Sequence, residues 1–289
     1  MYTRSPDGGL IGGSLAPVVT ILSDRTAAAL DRAPFGLERV KAAVRRYTYS
    51  ERTRPKAGSK GGTAIGAPSV GAERTVSFPD PADRNRLTAD CRRCPALVES
   101  RTRIAWGVGS VDAAIVVVGE APGAGDPDAD RWRGGNHTGM AYTSRHSGRR
   151  IRTLFESLGY ASEALYFTNA VKCFPCDGEG SNRGPTDEER SNCRPYLIEE
   201  IETIDPACVV PTGRHATESL LSAAGRELDG FLDTVLEPIE TDLLPPLLPI
   251  LHPSYQDVWI DRLGYESESY DRAIGERLTE LGVRPKGQR

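Results

Sequence analysis

Apolar runs and helical patterns alternate along the chain from about residue 80 onward. The clearest run, residues 113–123, is rich in β-branched residues and stops at glycine, glutamate and proline. Further apolar runs occupy residues 164–173, 207–213 and 247–254. Short apolar runs that end at turn formers are typical of buried strands, so the pattern predicts four strands.

Amphipathic helices are predicted between and after these strands. Ile151, Leu154, Phe155 and Leu158 share one helical face, and Gly159 follows as a C-cap. The other predicted helices begin at the capping box of Thr186 and Glu189 and cover residues 214–224 and 267–282. Strands that alternate with single helices predict an α/β fold, with a central, mainly parallel four-stranded sheet and helices on both faces.

Polar side chains follow three of the four predicted strands. Glu120, Asn169 and His252 each stand at or just beyond a strand end. The ends of parallel strands lie along one edge of a sheet, where ligands bind, so we expect these groups to share a site. A carboxylate, a carboxamide and an imidazole could together bind a substrate and stabilise a developing charge. The simpler alternative for each is a local role in a turn or cap.

Composition divides the chain into two parts. Residues 1–80 are rich in glycine, and through Arg84 there are 13 Lys or Arg against 8 Asp or Glu. This favours a flexible, mildly basic extension over residues 1–80, which could hold DNA phosphates or simply stay solvated. A compact domain is predicted over residues 81–289. The total charge of -4 argues against a wholly basic nucleic-acid coat but not against a basic groove.

No apolar segment has the length of a membrane span, and the N-terminus lacks the layout of a signal peptide. We therefore expect an intracellular protein without a membrane partner.

Six cysteines are the strongest sign of a bound metal. Cys91 and Cys94 form a CxxC pair, while 19 residues separate Cys173 from Cys193. Four thiolates suit an iron-sulfur cluster or a structural zinc ion, and the wide second spacing favours the cluster. Cys176 is an alternative fourth ligand. Cys208 lies within a predicted strand and is most simply a core residue.

Five motifs in one order carry a family resemblance. They are the CxxC pair and its following helix (91–101), GEAPG (119–123), TNAVKC (168–173), PTDEERSNCRP (185–195) and HPS (252–254). Over roughly residues 86–262 the chain closely resembles the iron-sulfur uracil-DNA glycosylases of families 4 and 5. The resemblance implies their fold and a structural [4Fe-4S] cluster held by Cys91, Cys94, Cys173 and Cys193.

The resemblance also implies roles for single residues. Glu120 and the backbone of Ala121, Pro122 and Gly123 match the motif on the side of the attacking water. Asn169 matches the residue that recognises uracil, His252 the histidine that faces the base carbonyl, and Tyr142 replaces the usual stacking phenylalanine. The groups expected to hold DNA phosphates are Arg145, Arg149, Arg150 and Ser254, together with Arg131 and Arg133.

The implied activity is hydrolysis of the N-glycosidic bond of uracil in single- or double-stranded DNA after base flipping, the step that initiates base excision repair. We expect a monomer in the cytoplasm, associated with the nucleoid. GEAPG follows family 4, whereas residues 135–148 resemble the family 5 loop, which normally carries Asp where Arg145 stands. Two alternatives follow: a glycosylase that also accepts hypoxanthine or xanthine, and a non-catalytic, cluster-bearing nucleic-acid-binding module.

Overall fold

The computed structural model describes residues 76–285. Most of the predicted extension over residues 1–80 therefore lies outside the described residues, and so do residues 286–289. The described chain forms one sheet with helices packed against it. The five strands are β1 (Arg84–Asn85), β2 (Gly107–Gly109), β3 (Ile115–Gly119), β4 (Leu165–Asn169) and β5 (Cys208–Pro211), in the spatial order β1-β2-β4-β3-β5.

The α/β fold and the mainly parallel sheet are confirmed, but the predicted number of four strands is wrong, because the sheet has five. β3 pairs in parallel with β4 and with β5, whereas β1 and β2 add antiparallel pairs on the far side of β4. β1 and β2 are two and three residues long and contain polar residues or glycine, so they leave no apolar run in the sequence. The sheet is mostly, but not wholly, parallel.

The predicted strand at residues 247–254 is present only as an interrupted pairing. Leu248 and Ile250 donate to the carbonyls of Val209 and Pro211, at 2.9 Å each, beside β5. Bridges at 209 with 247 and at 212 with 250 keep one parallel register. Pro211 has no N–H to donate back, so the ladder is broken between these two bridges. This segment still forms the outer edge of the sheet beyond β5.

Helices cover both faces of the sheet. They are α1 (Pro95–Ser100), α2 (Gly135–Thr138), α3 (Ser147–Ser157), α4 (Asp187–Ile204), α5 (Arg214–Ala223), α6 (Phe231–Thr234), α7 (Gln256–Trp259) and α8 (Ser267–Glu280). Thr186 accepts from the Glu189 amide at the start of α4, and Glu189 accepts from the Thr186 amide, which confirms the predicted capping box. Among residues 76–285, none of the helices has the length and apolar character that a membrane crossing requires.

The core consists of two apolar layers that β3 separates. Ile115 and Val117 point into one layer, which Phe155 of α3 and Ile274 of α8 complete. Val116 and Val118 point into the other, against α4 and α5. Side chains of a strand alternate between faces, so a strand buried on both faces has the continuous apolar sequence seen here.

A buried ion pair crosses the second layer. Lys172 Nζ lies 2.6 Å from Glu200 Oε2, and both side chains are almost fully inaccessible. Lys172 also donates to Thr168 Oγ1 and to the carbonyl of Asn169, and Glu200 accepts from the amide of Gly107. Each charge therefore has several hydrogen-bond partners, which offset the cost of removing it from water.

Removing one member of this pair should strongly destabilise the domain. Lys172→Met leaves the Glu200 carboxylate buried without its cation, so we expect a loss of about 3–5 kcal/mol in the free energy of unfolding, measured by urea denaturation. Arg272→Ala is the matched control, because Arg272 and Glu276 form an exposed pair 3.8 Å apart whose loss should cost about 1 kcal/mol or less. Equal losses in the two variants would contradict a special role for the buried pair.

Candidate functional site

The carboxyl ends of β3 and β4 meet at the GEAPG segment. Gly119 is paired with Asn169, and the amides of Ala170 and Val171 donate to the carbonyls of Gly119 and Glu120 at 2.7 and 2.9 Å. A side chain on Gly119 would collide with the Asn169 carboxamide and would stand 2.8 Å from the Tyr142 hydroxyl. Only glycine therefore allows the Asn169 and Tyr142 side chains to approach the strand end this closely.

Tyr142 is held firmly in place at the same edge. Its hydroxyl lies 2.5 Å from Thr212 Oγ1, and its ring meets Phe167 edge to face at 5.7 Å. Arg152 contacts both residues. Its guanidinium lies 4.0 Å from the Phe167 ring centre, and its Nε donates to the Tyr142 carbonyl. Tyr142 has a left-handed backbone conformation, with φ of 51°, which is uncommon outside glycine. The Tyr142 side chain is therefore held in one position at the edge of the site.

His252 follows the outer edge pairing and lies next to the end of β5. A Cβ on Gly213 would stand 3.0 Å from the His252 Cβ, so the two segments touch closely. His252 Nδ1 accepts a hydrogen bond from the Ser254 amide at 3.2 Å. Because Nδ1 is the acceptor, the neutral ring carries its proton on Nε2. Burial, with a smaller effect of His146, lowers the pKa of His252 to about 4.

Glu120 lies beside charged groups on α4 and α5. Burial raises the pKa of its carboxyl group, His215 and then Arg190 oppose that rise, and Glu218 adds to it. The sequence alone did not indicate Arg190 or His215 as site residues, because each belongs to a helix that is distant from Glu120 along the chain. They reach Glu120 only because both helices start near the carboxyl edge of the sheet.

The loop after Glu120 is closed by a residue that sequence reasoning missed. Asn182 Oδ1 accepts from the Ala124 amide at 2.9 Å, and a Cβ on Gly123 would stand 2.8 Å from Asn182 Nδ2. Pro122 is buried and packs near Gly135. The Asn182 side chain therefore fixes the backbone at residues 123–124. No periodic pattern marks Asn182, which lies in the irregular segment between β4 and α4.

The structure thus brings four of the predicted residues to one edge. Asn169 and Tyr142 meet over Gly119, Tyr142 bonds to Thr212 at the end of β5, and His252 lies against the adjoining Gly213. Glu120 follows directly after Gly119. A neutral imidazole donor, a buried carboxamide and a carboxylate therefore border one region of the sheet edge, where they could bind a planar polar ligand and stabilise an anion.

The basic residues expected to hold phosphates differ in their surroundings. Arg145 and Arg149 are exposed, as are Arg131, Arg133 and Ser254. Arg150 instead forms a two-pronged ion pair with Asp257, at 2.5 and 2.7 Å. Its guanidinium is therefore already neutralised by a carboxylate, whereas Arg145 and Arg149 present their charge to solvent beside the His252 edge.

Four cysteines, Cys91, Cys94, Cys173 and Cys193, lie near one another. Burial is the main cause that raises the pKa of Cys94, Cys173 and Cys193, and the charges of neighbouring members of the group, including Cys91, add to it. N–H groups point at three of the sulfurs: Arg101 Nη1 at Cys173 (3.2 Å), the Lys172 amide at Cys193 (3.2 Å) and Asn192 Nδ2 at Cys94 (3.6 Å). Donors to sulfur are typical of thiolate ligands.

The other two cysteines lie elsewhere. Cys176 Sγ accepts from the Gly178 amide within the loop before α4, and Cys208 is buried in β5, as predicted for a core residue. In the part of the chain that the structure describes, no three His, Cys, Asp or Glu side chains converge on one point as ligands of a single metal ion must. A [4Fe-4S] cluster has a different requirement, since each cysteine binds a different iron.

The pKa of His252 should be visible in the pH dependence of stability. In the unfolded chain a histidine binds a proton near pH 6.5, whereas folded His252 does so only near pH 4. Between these values the unfolded state binds more protons, so stability falls as the pH decreases, by up to about 3 kcal/mol from this group. In urea denaturation from about pH 7 to 4, His252→Asn should lose less stability than the wild type. Identical pH slopes would show that His252 is not buried as a neutral ring.

Comparisons with known proteins agree with this geometry. The model of the uracil DNA glycosylase superfamily matches residues 106–270, more than half of the chain. The chain is 36% identical over 137 residues to the type-4 uracil-DNA glycosylase of Archaeoglobus fulgidus, a match that covers 47% of the chain and 61% of that relative. Identity to the type-4 enzyme of Thermotoga maritima is 32% over 165 residues, or 57% of the chain and 77% of the relative.

A type-5 relative is also similar. The type-5 uracil-DNA glycosylase of Pyrobaculum aerophilum is 32% identical over 175 residues, which cover 51% of this chain and 71% of the relative. The matched segment therefore spans less than two thirds of the Archaeoglobus protein and somewhat more of the other two. The match of the family model and the identity to the Thermotoga enzyme decide the family. This chain belongs to the uracil-DNA glycosylase superfamily.

Proposed function

We propose that this protein hydrolyses the N-glycosidic bond of uracil in DNA and releases the free base. The observation that carries the proposal is the meeting of Asn169, His252 and Glu120 at one sheet edge, in a member of this superfamily. A base within a duplex is out of reach of such an edge, so the nucleotide is first flipped out, at a cost of a few kcal/mol. Exposed Arg145 and Arg149 are suited to hold the flanking phosphates.

Asn169 supplies base recognition. Its side chain is buried, and its backbone carbonyl is fixed by Lys172 Nζ at 2.7 Å. A carboxamide can donate to the O4 atom of uracil and accept from its N3–H. Cytosine presents the reverse pattern at these positions, so the same geometry would reject it. The Tyr142 ring, fixed by Thr212, limits the space beside the base.

His252 supplies the charge stabilisation for the leaving group. As the glycosidic bond breaks, uracil leaves as an anion with charge on its carbonyl oxygens. The Nε2–H of neutral His252 is a donor for that charge, and the Ser254 amide on Nδ1 fixes the tautomer. Removing one such donor typically costs about 3–4 kcal/mol of transition-state stabilisation.

Glu120 faces the sugar side of the reaction. Its carboxylate can stabilise the oxocarbenium character of the deoxyribose or orient the attacking water, and both roles require the ionised form. The backbone of Ala121, Pro122 and Gly123, fixed by Asn182, shapes the same side. Arg190 and His215 oppose the effect of burial on the Glu120 pKa and so favour the carboxylate.

We also propose that Cys91, Cys94, Cys173 and Cys193 hold a [4Fe-4S] cluster. The fit rests on their grouping and on the three N–H donors to sulfur. The cluster would supply structural cross-linking rather than chemistry at the reacting bond. Cys173 follows Asn169 by four residues, so holding Cys173 also restrains the strand end that positions Asn169.

Base release tests the proposed reaction directly. Wild-type protein should release uracil from oligonucleotides that contain it in single or double strands. His252→Ala should lower single-turnover release by about 100- to 1000-fold, because it removes the donor to the leaving anion. Arg272→Ala on distant α8 is the control and should retain the wild-type rate.

One result of the same assay would contradict the proposed reaction. Absence of release from every uracil substrate, with DNA binding intact, would leave the non-catalytic binding module. A matched oligonucleotide with hypoxanthine belongs in the same assay, since residues 135–148 resemble the broader-range branch and a type-5 relative is similar. The intracellular location and the monomeric state stay predictions.

Cysteine substitutions test the cluster. Cys173→Ser and Cys193→Ser should each lower the bound iron and the broad absorption near 400 nm, because a cluster with three thiolate ligands is less stable. Cys176→Ser and Cys208→Ala should retain both. Iron and sulfide analysis of the purified proteins measures the result. Loss of iron in the Cys176 variant with retention in the Cys193 variant would make Cys176 the ligand.

A further inference from the structure

A polar cluster on two helices lies beside Glu120. It consists of Arg190 on α4 and of His215 and Glu218 on α5. Arg190 Nη1 lies 3.0 Å from His215 Nδ1, and Glu218 Oε2 lies 3.2 Å from the same nitrogen. Arg190 is itself held by Asp187, Glu218 and the carbonyl of Pro185. The imidazole is therefore fixed from one side.

The two contacts of Nδ1 bear on where His215 carries its protons. Arg190 Nη1 can only donate and Glu218 Oε2 can only accept, and both lie within hydrogen-bond distance of Nδ1. A neutral ring that accepts from Arg190 carries its proton on Nε2, and a protonated ring that donates to Glu218 carries one there as well. His215 thus presents an N–H donor on the side that faces away from Arg190.

That side of the ring faces Glu120 across a gap at Gly184. A Cβ built on Gly184 would stand 3.2 Å from His215 Nε2 and 3.9 Å from Glu120 Oε1. The two atoms therefore border the same small space. Glycine leaves this space open to a direct approach or to one bridging water, which needs polar partners of this kind.

We infer that His215 is a positioning residue that keeps the Glu120 carboxylate ionised and oriented. Its Nε2–H faces that carboxylate across the gap at Gly184, and its Nδ1 is fixed by Arg190. This inference rests on the proposed function for its kinetic consequence, but not for the contact itself.

The charges that face Glu120 set the direction of the effect. Burial raises the pKa of Glu120, His215 is the largest opposing influence, Arg190 is the next, and Glu218 acts in the same direction as burial. Tyr142 also faces Glu120, but its hydroxyl stays neutral because burial raises its pKa far above the working range. Loss of His215 should therefore raise the pKa of Glu120 and leave less of the active carboxylate at low pH.

The first experiment is a pH profile of single-turnover uracil release for the wild type, His215→Ala, His215→Gln and the distant control Arg272→Ala. In His215→Ala the acid limb of the profile should shift to higher pH by about half a pH unit or more. The rate of uracil release should then fall about threefold at pH values below the limb and change little above about pH 8. His215→Gln should restore most of the wild-type profile, because its amide can place a donor in the same space.

A second measurement does not depend on activity. The carboxyl carbon of Glu120 can be titrated by NMR after selective ¹³C labelling, with Glu120→Gln to assign its signal. His215→Ala should raise the Glu120 midpoint in the same direction as the kinetic limb, and Gly184→Ala, which puts a methyl group into the gap, should do the same.

The outcomes separate the two proposals. If the wild type releases no uracil but the Glu120 titration moves in His215→Ala, the proposed function fails and the contact stands. If the Glu120 midpoint is unchanged in His215→Ala and in Gly184→Ala, the inference is overturned. An equal loss of rate at every pH, with no movement of the limb, also overturns it, because that pattern indicates only a structural role. If His215→Ala does not fold, Gly184→Ala decides by the same criteria.

Discussion

The Lys172–Glu200 ion pair links the parts of the structure that the site depends on. Lys172 follows β4 and holds the carbonyl of Asn169, and its own amide donates to Cys193. Glu200 of α4 accepts from Gly107 of β2 and from Thr168 of β4. Two charges in an apolar layer are stable only if their hydrogen bonds are complete. The strand end, the cysteine group and the antiparallel edge are thus fixed by one network.

The same short segment connects the proposed chemistry to the proposed cluster. Three residues separate Asn169, which faces the site, from Cys173, which faces the cysteine group, and all three are buried. A restraint on the cysteine therefore limits the movement of the carboxamide. This geometry explains how a cluster without a part in bond breaking could still affect activity, through the position of Asn169.

Burial favours the neutral form of both titratable groups of the site, with opposite consequences for the proposed reaction. For His252 it favours the neutral ring, which is the donor that a leaving anion needs. For Glu120 it disfavours the carboxylate, and His215 and Arg190 oppose this effect without cancelling it. The surroundings of each group therefore decide how far it meets the protonation state that the proposed reaction requires.

The sequence by itself determined the local features of this protein. The apolar runs marked β3, β4 and β5, the capping box marked the start of α4, and the periodic face of α8 carried Tyr270, Ile274 and Leu278 into the core. These features depend on neighbours within a few residues, so the order of residues is enough to predict them. The placement of Glu120, Asn169 and His252 at strand ends followed from the same patterns.

Only the tertiary structure decided which distant groups meet. The antiparallel pairing of β1 and β2 depends on partners across the sheet, because strands of two or three residues have no pattern of their own. The contacts of Asn182 with the loop at residues 123–124 and of Arg190 with His215 join segments that are 25 to 60 residues apart. These contacts position the site. Their energy depends on packing and burial in the folded chain, which cannot be read from a local pattern of residues.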